Sequence, residues 1–380
     1  MTLSPDWLTP TVAVLGALHV GMALVLLANL AYLRRTRRPL PRLVAAPSVS
    51  VLVPARNEEN NLRRLLPTLA AQTYASVEVV VVDDASEDAT WAVLEAHAAA
   101  FETAGHTLRP VRGEGPPTGW LGKPHALYQA TRHATGEVFV FLDADTDLRD
   151  PEALQRLVAR FASCEAASGP DAAAMSGLPH YRDRGGAALL TSLVPFSILS
   201  ALPLALVPRT RAASVGALNG QVWAIRADAY RRLEPHATHR ANILEDVEIG
   251  RTLKREGLRL HFVDLADCVA VRMYGTLAEA WRGFRKNAYL LAGGHPATFV
   301  PLWLLYAALF VVGPWLALAL GVPWLLASSV ALKGGCDLAR RLPLWLPVVV
   351  PLVFVLANVL QSDSAVSHWT GRVAWKGRTV

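Results

Sequence analysis

Three carboxylate pairs follow one another along the chain: Asp83-Asp84, Asp143-Ala144-Asp145 and Glu245-Asp246. The first two stand directly after runs of apolar and β-branched residues, VEVVVV and VFVFL. Such runs read as buried strands, and acid at a strand's carboxyl end lies where open α/β sheets receive ligands. Carboxylates crowded along one sheet edge repel each other and call for a cation. A divalent ion gripping a nucleotide diphosphate meets that need with the fewest parts. In this reading Asp143 and Asp145 face one side of a turn and ligate a hard ion, Mg2+ or Mn2+, whose shell phosphate oxygens complete. Asp84 is placed to accept hydrogen bonds from a base or a ribose hydroxyl. Lys123, in Gly122-Lys123-Pro124-His125, can meet a phosphate. The segment is not a P-loop, because no glycine stands five residues before Gly122 and proline replaces Ser or Thr. Asp246 is the expected general base for an acceptor hydroxyl, oriented by Glu245. Each assignment has a plainer alternative. Asp143-Asp145 reads also as a solvated strand end, Asp84 as a helix cap, Lys123 as a surface lysine, and Glu245-Asp246 as an acidic first helical turn. The three pairs together favour the ion. His180, His236, His239 and His261 have no metal-ligand spacing and receive no role.

The elements that must hold these residues alternate in type. Val49 to Val53 reads as a strand ending at Pro54. Leu62, Leu65, Leu66 and Leu69 then recur at helical spacing, giving a helix from Glu58 to Gln72. Val77 to Val82 is a second strand, and Ser86-Glu87-Asp88 opens a helix with acid at its positive end. Leu108 to Val111, Val138 to Leu142 and Leu258 to Val263 read as further strands. Lys123 to Ala134 and Glu245 to Arg255 read as helices. Leu218 to Ile225 is apolar ahead of a helical stretch from Arg226 to Leu233. Strand–helix alternation predicts an α/β fold with a mostly parallel, doubly wound, Rossmann-like sheet. No internal repeat or low-complexity segment is evident.

The chain has 380 residues, is 52% hydrophobic and has positive mean hydropathy, which points to membrane segments. Val12 to Leu33 carries no charge, and as a helix of ~33 Å it spans a bilayer core. It is too long for a signal peptide, and its arginines follow it instead of preceding it. Most of the +6 formal charge comes from those arginines, Arg34, Arg35, Arg37, Arg38 and Arg42. This local excess reads as a juxtamembrane anchor, not a nucleic-acid surface, and places the following chain in the cytoplasm. Phe299 to Leu320 and Leu342 to Leu360 are two further spans. Val322 to Ala331 is too short to cross alone. Ala187 to Val207 is apolar but interrupted by Pro195 and Pro203. A crossing there would separate Glu245-Asp246 from Asp143-Asp145, so helices lying in the membrane interface are expected, with a buried core pair as the alternative. Cys164, Cys268 and Cys336 are odd in number and far apart, with neither disulfide nor zinc spacing.

Five ordered segments carry a family resemblance: VSVLVPARNEENNL, VVVDDASEDAT, GWLGKPHAL, FVFLDADTDL and NILEDVEIGRTLKREG. Between about Pro47 and Arg272 the chain resembles the family 2 glycosyltransferases with the GT-A fold. The resemblance implies a nucleotide-diphospho-sugar donor, a divalent metal, and inverting transfer by direct displacement. Residue by residue, it implies that Pro54, Ala55, Arg56 and Glu58 line the nucleotide pocket and that Asp84 contacts uridine. Asp143 would lie near the ribose and metal, Asp145 would ligate the metal, and Asp246 would deprotonate the acceptor. VAVRMYGTLAEAWRGFRKN and the terminal WKGR extend the likeness to membrane glycosyltransferases that act on carotenoids and to hopanoid-associated relatives. Trp281 to Asn287 departs from the Q-x-x-R-W motif of processive synthases, which disfavours polymer extrusion.

The expected organisation is a membrane helix and basic linker over 1–46, a cytoplasmic catalytic domain over 47–275, and an interfacial helix with membrane spans over 276–380. The expected activity is transfer of a hexose, from a UDP-sugar, to a carotenoid or other lipid of a bacterial cell membrane. Trp281, Phe284 and Arg285 would lie at headgroup depth on the acceptor side. Two rivals stand beside it: transfer to a polyprenyl phosphate, and a non-catalytic nucleotide-sugar-binding scaffold.

Overall fold

A computed structural model describes residues 5–37, 46–75, 77–169, 172–216, 218–376 and 378–379. Arg38 and Arg42 of the basic run lie outside them. The chain divides into two compact units. One comprises 32–182 and 204–273; the other comprises 1–31, 183–203 and 274–380.

The first unit is built on strands β1 (Val49–Ala55), β2 (Val77–Asp84), β3 (Thr107–Gly113), β4 (Val138–Leu142), β5 (Thr146–Leu148), β6 (Ala173–Leu178), β7 (His180–Tyr181), β8 (Val222–Arg226), β9 (Arg259–Asp264) and β10 (Val269–Val271). Seven of them form one sheet in the order β3-β2-β1-β4-β8-β6-β9. β1 pairs in parallel with both β2 and β4, while β8 runs antiparallel between β4 and β6. A small sheet, β5-β10-β7, accompanies it. The central strands are apolar without alternation because both faces are covered: Val79, Val80, Val81 and Val82 are all fully buried. On one face Leu62, Leu65, Leu66 and Leu69 of helix Glu59–Ala70 pack into the core with Val51, Val79 and Val140. Each such side chain contributes about 1.5–3 kcal/mol on burial.

The chain leaves β1 toward β2 and β3 on one side, then returns to β4 on the other. This reversal makes the β1/β4 boundary a topological switch point, with all four parallel carboxyl ends at one edge. β1 continues through Pro54, one step beyond its expected end, and β2 carries on to include Asp83 and Asp84. Ser86-Glu87-Asp88 does not open the following helix, which begins at Thr90; these residues bond to the β1 loop instead. β8 starts at Val222, because Asn219-Gly220-Gln221 forms the turn before it.

The helix that starts at Pro5 ends at Thr36, and its last turn, from Tyr32, belongs to the sheet unit. Arg160 Nε donates to the Thr36 carbonyl at 3.3 Å, the Asp264 amide donates to Thr36 Oγ1 at 3.0 Å, and Arg37 pairs with Asp264 at 2.9 Å.

The second unit is helical and apolar. Among the described residues three helical stretches are long and apolar enough to cross a membrane: Pro10–Thr36, Pro296–Ala319 and Leu346–Trp369. The third begins and ends later than its apolar composition indicated, because Pro343 to Pro347 holds a turn and a short 3-10 segment. Residues expected to be too short to cross, from Val322, belong to a helix Trp324–Ala339. The apolar interval from Ala187 splits into helices Ala187–Thr191 and Leu193–Ala201. Pro195 sits in the first turn of the second, where its missing N–H costs little, and Pro203 follows its end. Asn29 Nδ2 donates to the Leu199 and Leu202 carbonyls at 2.9 and 2.7 Å. Lys333 is fully buried and pairs with Asp337 at 2.5 Å, with Ser192 Oγ at 3.0 Å. Leu344 and Val348 are 80% and 82% exposed, apolar surface that water does not favour. All three cysteines are buried and unpaired with one another.

Candidate active site

Lys123 organises the acids. It occupies the first turn of helix Gly122–His133, and its Nζ lies 2.7 Å from Asp143 Oδ1 and 2.9 Å from Oδ2. The same nitrogen lies 3.4 Å from Glu245 Oε1. Burial alone would lower this ammonium, but Asp143, Glu245 and Asp246 more than offset it and hold it above its ordinary value. Lys123 thus places one positive charge among these carboxylates.

Asp143 stands at the carboxyl end of β4, where its amide donates to the Gln221 carbonyl at 3.2 Å. Asp143 and Asp145 are both partly exposed and flank buried Ala144 in the turn between β4 and β5. Glu245 and Asp246 open helix Glu245–Arg255, at its positive end. Asp246 Oδ2 accepts from the Gly220 amide at 3.0 Å and Oδ1 from the Val247 amide at 2.8 Å. Each oxygen keeps a second lone pair, so the carboxylate can still accept a proton. Gly220 allows this approach: a Cβ there would lie 3.0 Å from Asp246 Oδ2 and 3.2 Å from Lys123 Nζ. Behind the cluster, Phe141 stacks on Trp223 at 4.0 Å, and Tyr230 hydroxyl meets His236 Nδ1 at 2.7 Å. Burial, then the charge of Lys123, then that of His239, depresses His236 to about 3, so it is neutral at pH 7.

A second group lies at the ends of β1 and β2. Pro54 and Ala55 close β1. Arg56 Nη1 donates to the Asp84 and Ala85 carbonyls at 2.8 and 2.9 Å. Asn57 and Ala85 both take left-handed backbone, φ 52° and 54°, which turns the two loops against each other. The Asn57 amide donates to Ser86 Oγ at 2.8 Å, the Glu87 amide to Asn57 Oδ1 at 2.8 Å, and the Glu58 amide to Thr90 Oγ1 at 2.8 Å. Asp84 is 4% exposed, and the neighbouring Asp83 Oδ1 accepts from the Ser86 amide at 3.0 Å. Neither aspartate caps a helix, since the one that follows begins at Thr90 with Ala89 before it and no side-chain cap.

The structure therefore gathers Lys123, Asp143, Glu245 and Asp246, and separately joins Arg56 to the end of β2 beside Glu58. Trp281 and Arg285 belong to the other unit, on helix Leu277–Arg285. There Trp281 Nε1 donates to Asp363 at 2.7 Å, and the Arg285 carbonyl accepts from Ser364. Gly220 escaped the sequence reading, because its contribution is a backbone amide and an empty space. The Asn-Gly pair ahead of β8 was its one signal. Among the described residues no group of three or more His, Cys, Asp or Glu side chains is gathered to hold a metal ion. Asp143 and Asp145 are two hard oxygen donors. They fit an ion that takes the rest of its shell from a diphosphate and water.

A mostly parallel sheet with acids at the carboxyl edge of its switch point, joined to apolar spanning-length helices, is the GT-A architecture of nucleotide-sugar-dependent glycosyltransferases. Residues 50–194 match the family described as glycosyl transferase family 2. It is 25% identical over 355 residues to the 4,4'-diaponeurosporenoate glycosyltransferase of Staphylococcus haemolyticus, covering 87% of this chain and 88% of that protein. The Staphylococcus aureus protein of the same name is 26% identical over 352 residues, with the same coverage. A mannosyltransferase of Pyrobaculum calidifontis, solved with GDP-Man and Mn2+, superposes with a TM-score of 0.54. It is 23% identical, with 95% of this chain and 99% of that chain covered.

Proposed function

We propose that the chain transfers a hexose from a nucleotide-diphospho-sugar, a UDP-sugar as the family resemblance implies for Asp84, to a membrane lipid such as a carotenoid or other polyprenoid. The observation that carries this reading is the Lys123–Asp143–Glu245–Asp246 cluster at the carboxyl edge of the sheet. The names of the staphylococcal relatives support an acceptor of carotenoid type. Helices long enough to cross a bilayer suit a substrate that stays in it. Arg34, Arg35 and Arg37 after the first of them favour a cytoplasmic sheet unit in a bacterial membrane.

In the proposed reaction the acceptor oxygen attacks the anomeric carbon as the bond from that carbon to the diphosphate oxygen breaks, which inverts the centre. The hydroxyl proton passes to Asp246, while Gly220 and Val247 amides hold that carboxylate in place. Glu245 orients Lys123, whose ammonium offers charge to a donor phosphate. Pro54, Ala55, Arg56 and Glu58 wall the nucleotide side with Asp84. Asp143 and Asp145 would hold Mg2+ or Mn2+, which neutralises charge on a departing diphosphate when bound. An acceptor that is already a carboxylate needs no base.

The test incubates purified full-length protein with UDP-sugar, Mg2+ or Mn2+ and membrane lipid extract. UDP release and a lipid mass increment of one hexose are expected. Asp246→Asn is expected to lower turnover on a hydroxyl acceptor by about 10²-fold or more. Undiminished turnover of that variant on a hydroxyl acceptor would remove the base assignment. Absence of any glycosylated lipid would remove the acceptor class.

A further inference from the structure

Away from the acid cluster, the sheet unit contains a cavity of about 530 Å3 that shares no residue with it. Its lining includes Tyr32, Ser168, Arg209, Arg259 and His261. These are a phenol, a hydroxyl, two guanidiniums and an imidazole, a set rich in hydrogen-bond donors. Backbone carbonyls set the planes of both guanidiniums: Arg209 Nη1 donates to Ala205 at 2.8 Å and Arg259 Nη1 to Pro208 at 3.3 Å. The segment that carries Arg209 is itself anchored, since the buried Lys254 ammonium donates to the Val207 and Thr210 carbonyls at 2.6 and 2.7 Å. Ser168 Oγ meets His261 Nε2 at 2.9 Å. Burial first, then the charges of Arg259 and Lys254, depress His261 to about 4. The neighbourhood thus disfavours a further proton.

Two guanidiniums, each donating to a backbone carbonyl, with the Tyr32 phenol beside them match the oxygens of a phosphate group, while the Ser168 hydroxyl donates to the Cys164 carbonyl. The place of Tyr32 says more about the source. It lies in the last turns of the helix Pro10–Thr36, which is long and apolar enough to cross a membrane. Arg34 and Arg35 follow it. An aromatic residue followed by arginines at the end of such a helix marks headgroup depth. Basic pockets at that depth take lipid phosphates.

We propose that this cavity is a binding site for a phosphate group, carried by an anionic lipid headgroup, separate from the transfer site. Its occupation would tie the sheet unit to anionic membrane regions whichever sugar and acceptor the enzyme uses.

The experiment uses the full chain in neutral detergent at fixed ionic strength, followed by thermal unfolding. Three probes are added in turn: dihexanoyl phosphatidylglycerol, dihexanoyl phosphatidylcholine and inorganic phosphate. Phosphatidylglycerol near saturation is expected to raise the midpoint by about 3 °C or more. The phosphatidylcholine shift is expected to be smaller. Arg209→Gln changes an exposed side chain and is expected to remove at least half of the phosphatidylglycerol shift. Arg209→Lys is expected to keep part of it, which separates charge from folding damage. An Arg209-dependent shift with inorganic phosphate as large as that with the lipid would keep the phosphate site but assign it to a soluble source. Equal shifts in wild type and Arg209→Gln with every probe, or no shift with any, would overturn the proposal.

Discussion

At the residue scale the site depends on one missing side chain. Gly220 brings its amide to Asp246 and leaves space beside Lys123. Its φ is not in the left-handed region, so alanine fits the backbone there and the cost falls on the neighbours. Gly220→Ala is expected to push the Asp246 carboxylate and the lysine ammonium apart by a few tenths of an ångström. Turnover should fall at least about 10-fold, since small misplacements of reacting groups are costly. Thermal stability should change by less than about 2 kcal/mol, because the lysine end can swing away. Measuring kcat beside the unfolding midpoint separates the two effects, and loss of fold with retained specific activity would contradict the account. The acid pairs themselves were legible in sequence because each of the first two ends an apolar run. Their partner was not. Lys123 reads as an ordinary surface lysine until the fold brings β4 and the helix at Glu245 to it.

At the scale of elements, strands buried on both faces announced themselves by unbroken valine, and β4 and helix Glu245–Arg255 have the ends expected from sequence. The loops were less legible. Ser86-Glu87-Asp88 carries acid suited to a helix start, yet those residues bond across to Asn57 and Glu59, and the helix waits until Thr90. Tertiary pairing of two loops outweighed a local preference there. Lys333 and Asp337 form a buried pair one turn apart in the apolar helix Trp324–Ala339. Removing one partner leaves a buried charge unanswered, at a cost of about 3–5 kcal/mol. Lys333→Met is therefore expected to lower the unfolding midpoint in detergent clearly, and Lys333→Met combined with Asp337→Leu to recover much of the loss. If the double variant is as unstable as the single one, the pair is not the cause.

At the scale of the whole molecule, stability should respond to acid. His236 and His261 are held near 3 and 4 in the folded chain, mainly by burial, against about 6.5 when unfolded. Between those limits the unfolded chain binds protons that the folded chain refuses, so stability falls as pH drops below 6.5 and is unaffected by these groups above it. The unfolding midpoint is expected to decline steadily from pH 6.5 to pH 4, and His236→Gln to flatten part of that slope. Identical slopes would exclude His236 as a contributor. The two units differ from the three regions over 1–46, 47–275 and 276–380 expected from sequence. The assignment of Asp183–Pro203 to the helical unit was not foreshadowed, because that segment is embedded in sheet-forming sequence on both sides.

The cysteines carry a last consequence. All three are interior, and burial pushes the Cys164 and Cys268 thiols up to about 12. Thiolate is the reactive form, so these sulfurs are slow toward oxidants and alkylating reagents alike. Burial thereby makes these sulfurs poor sensors of the redox poise of their surroundings.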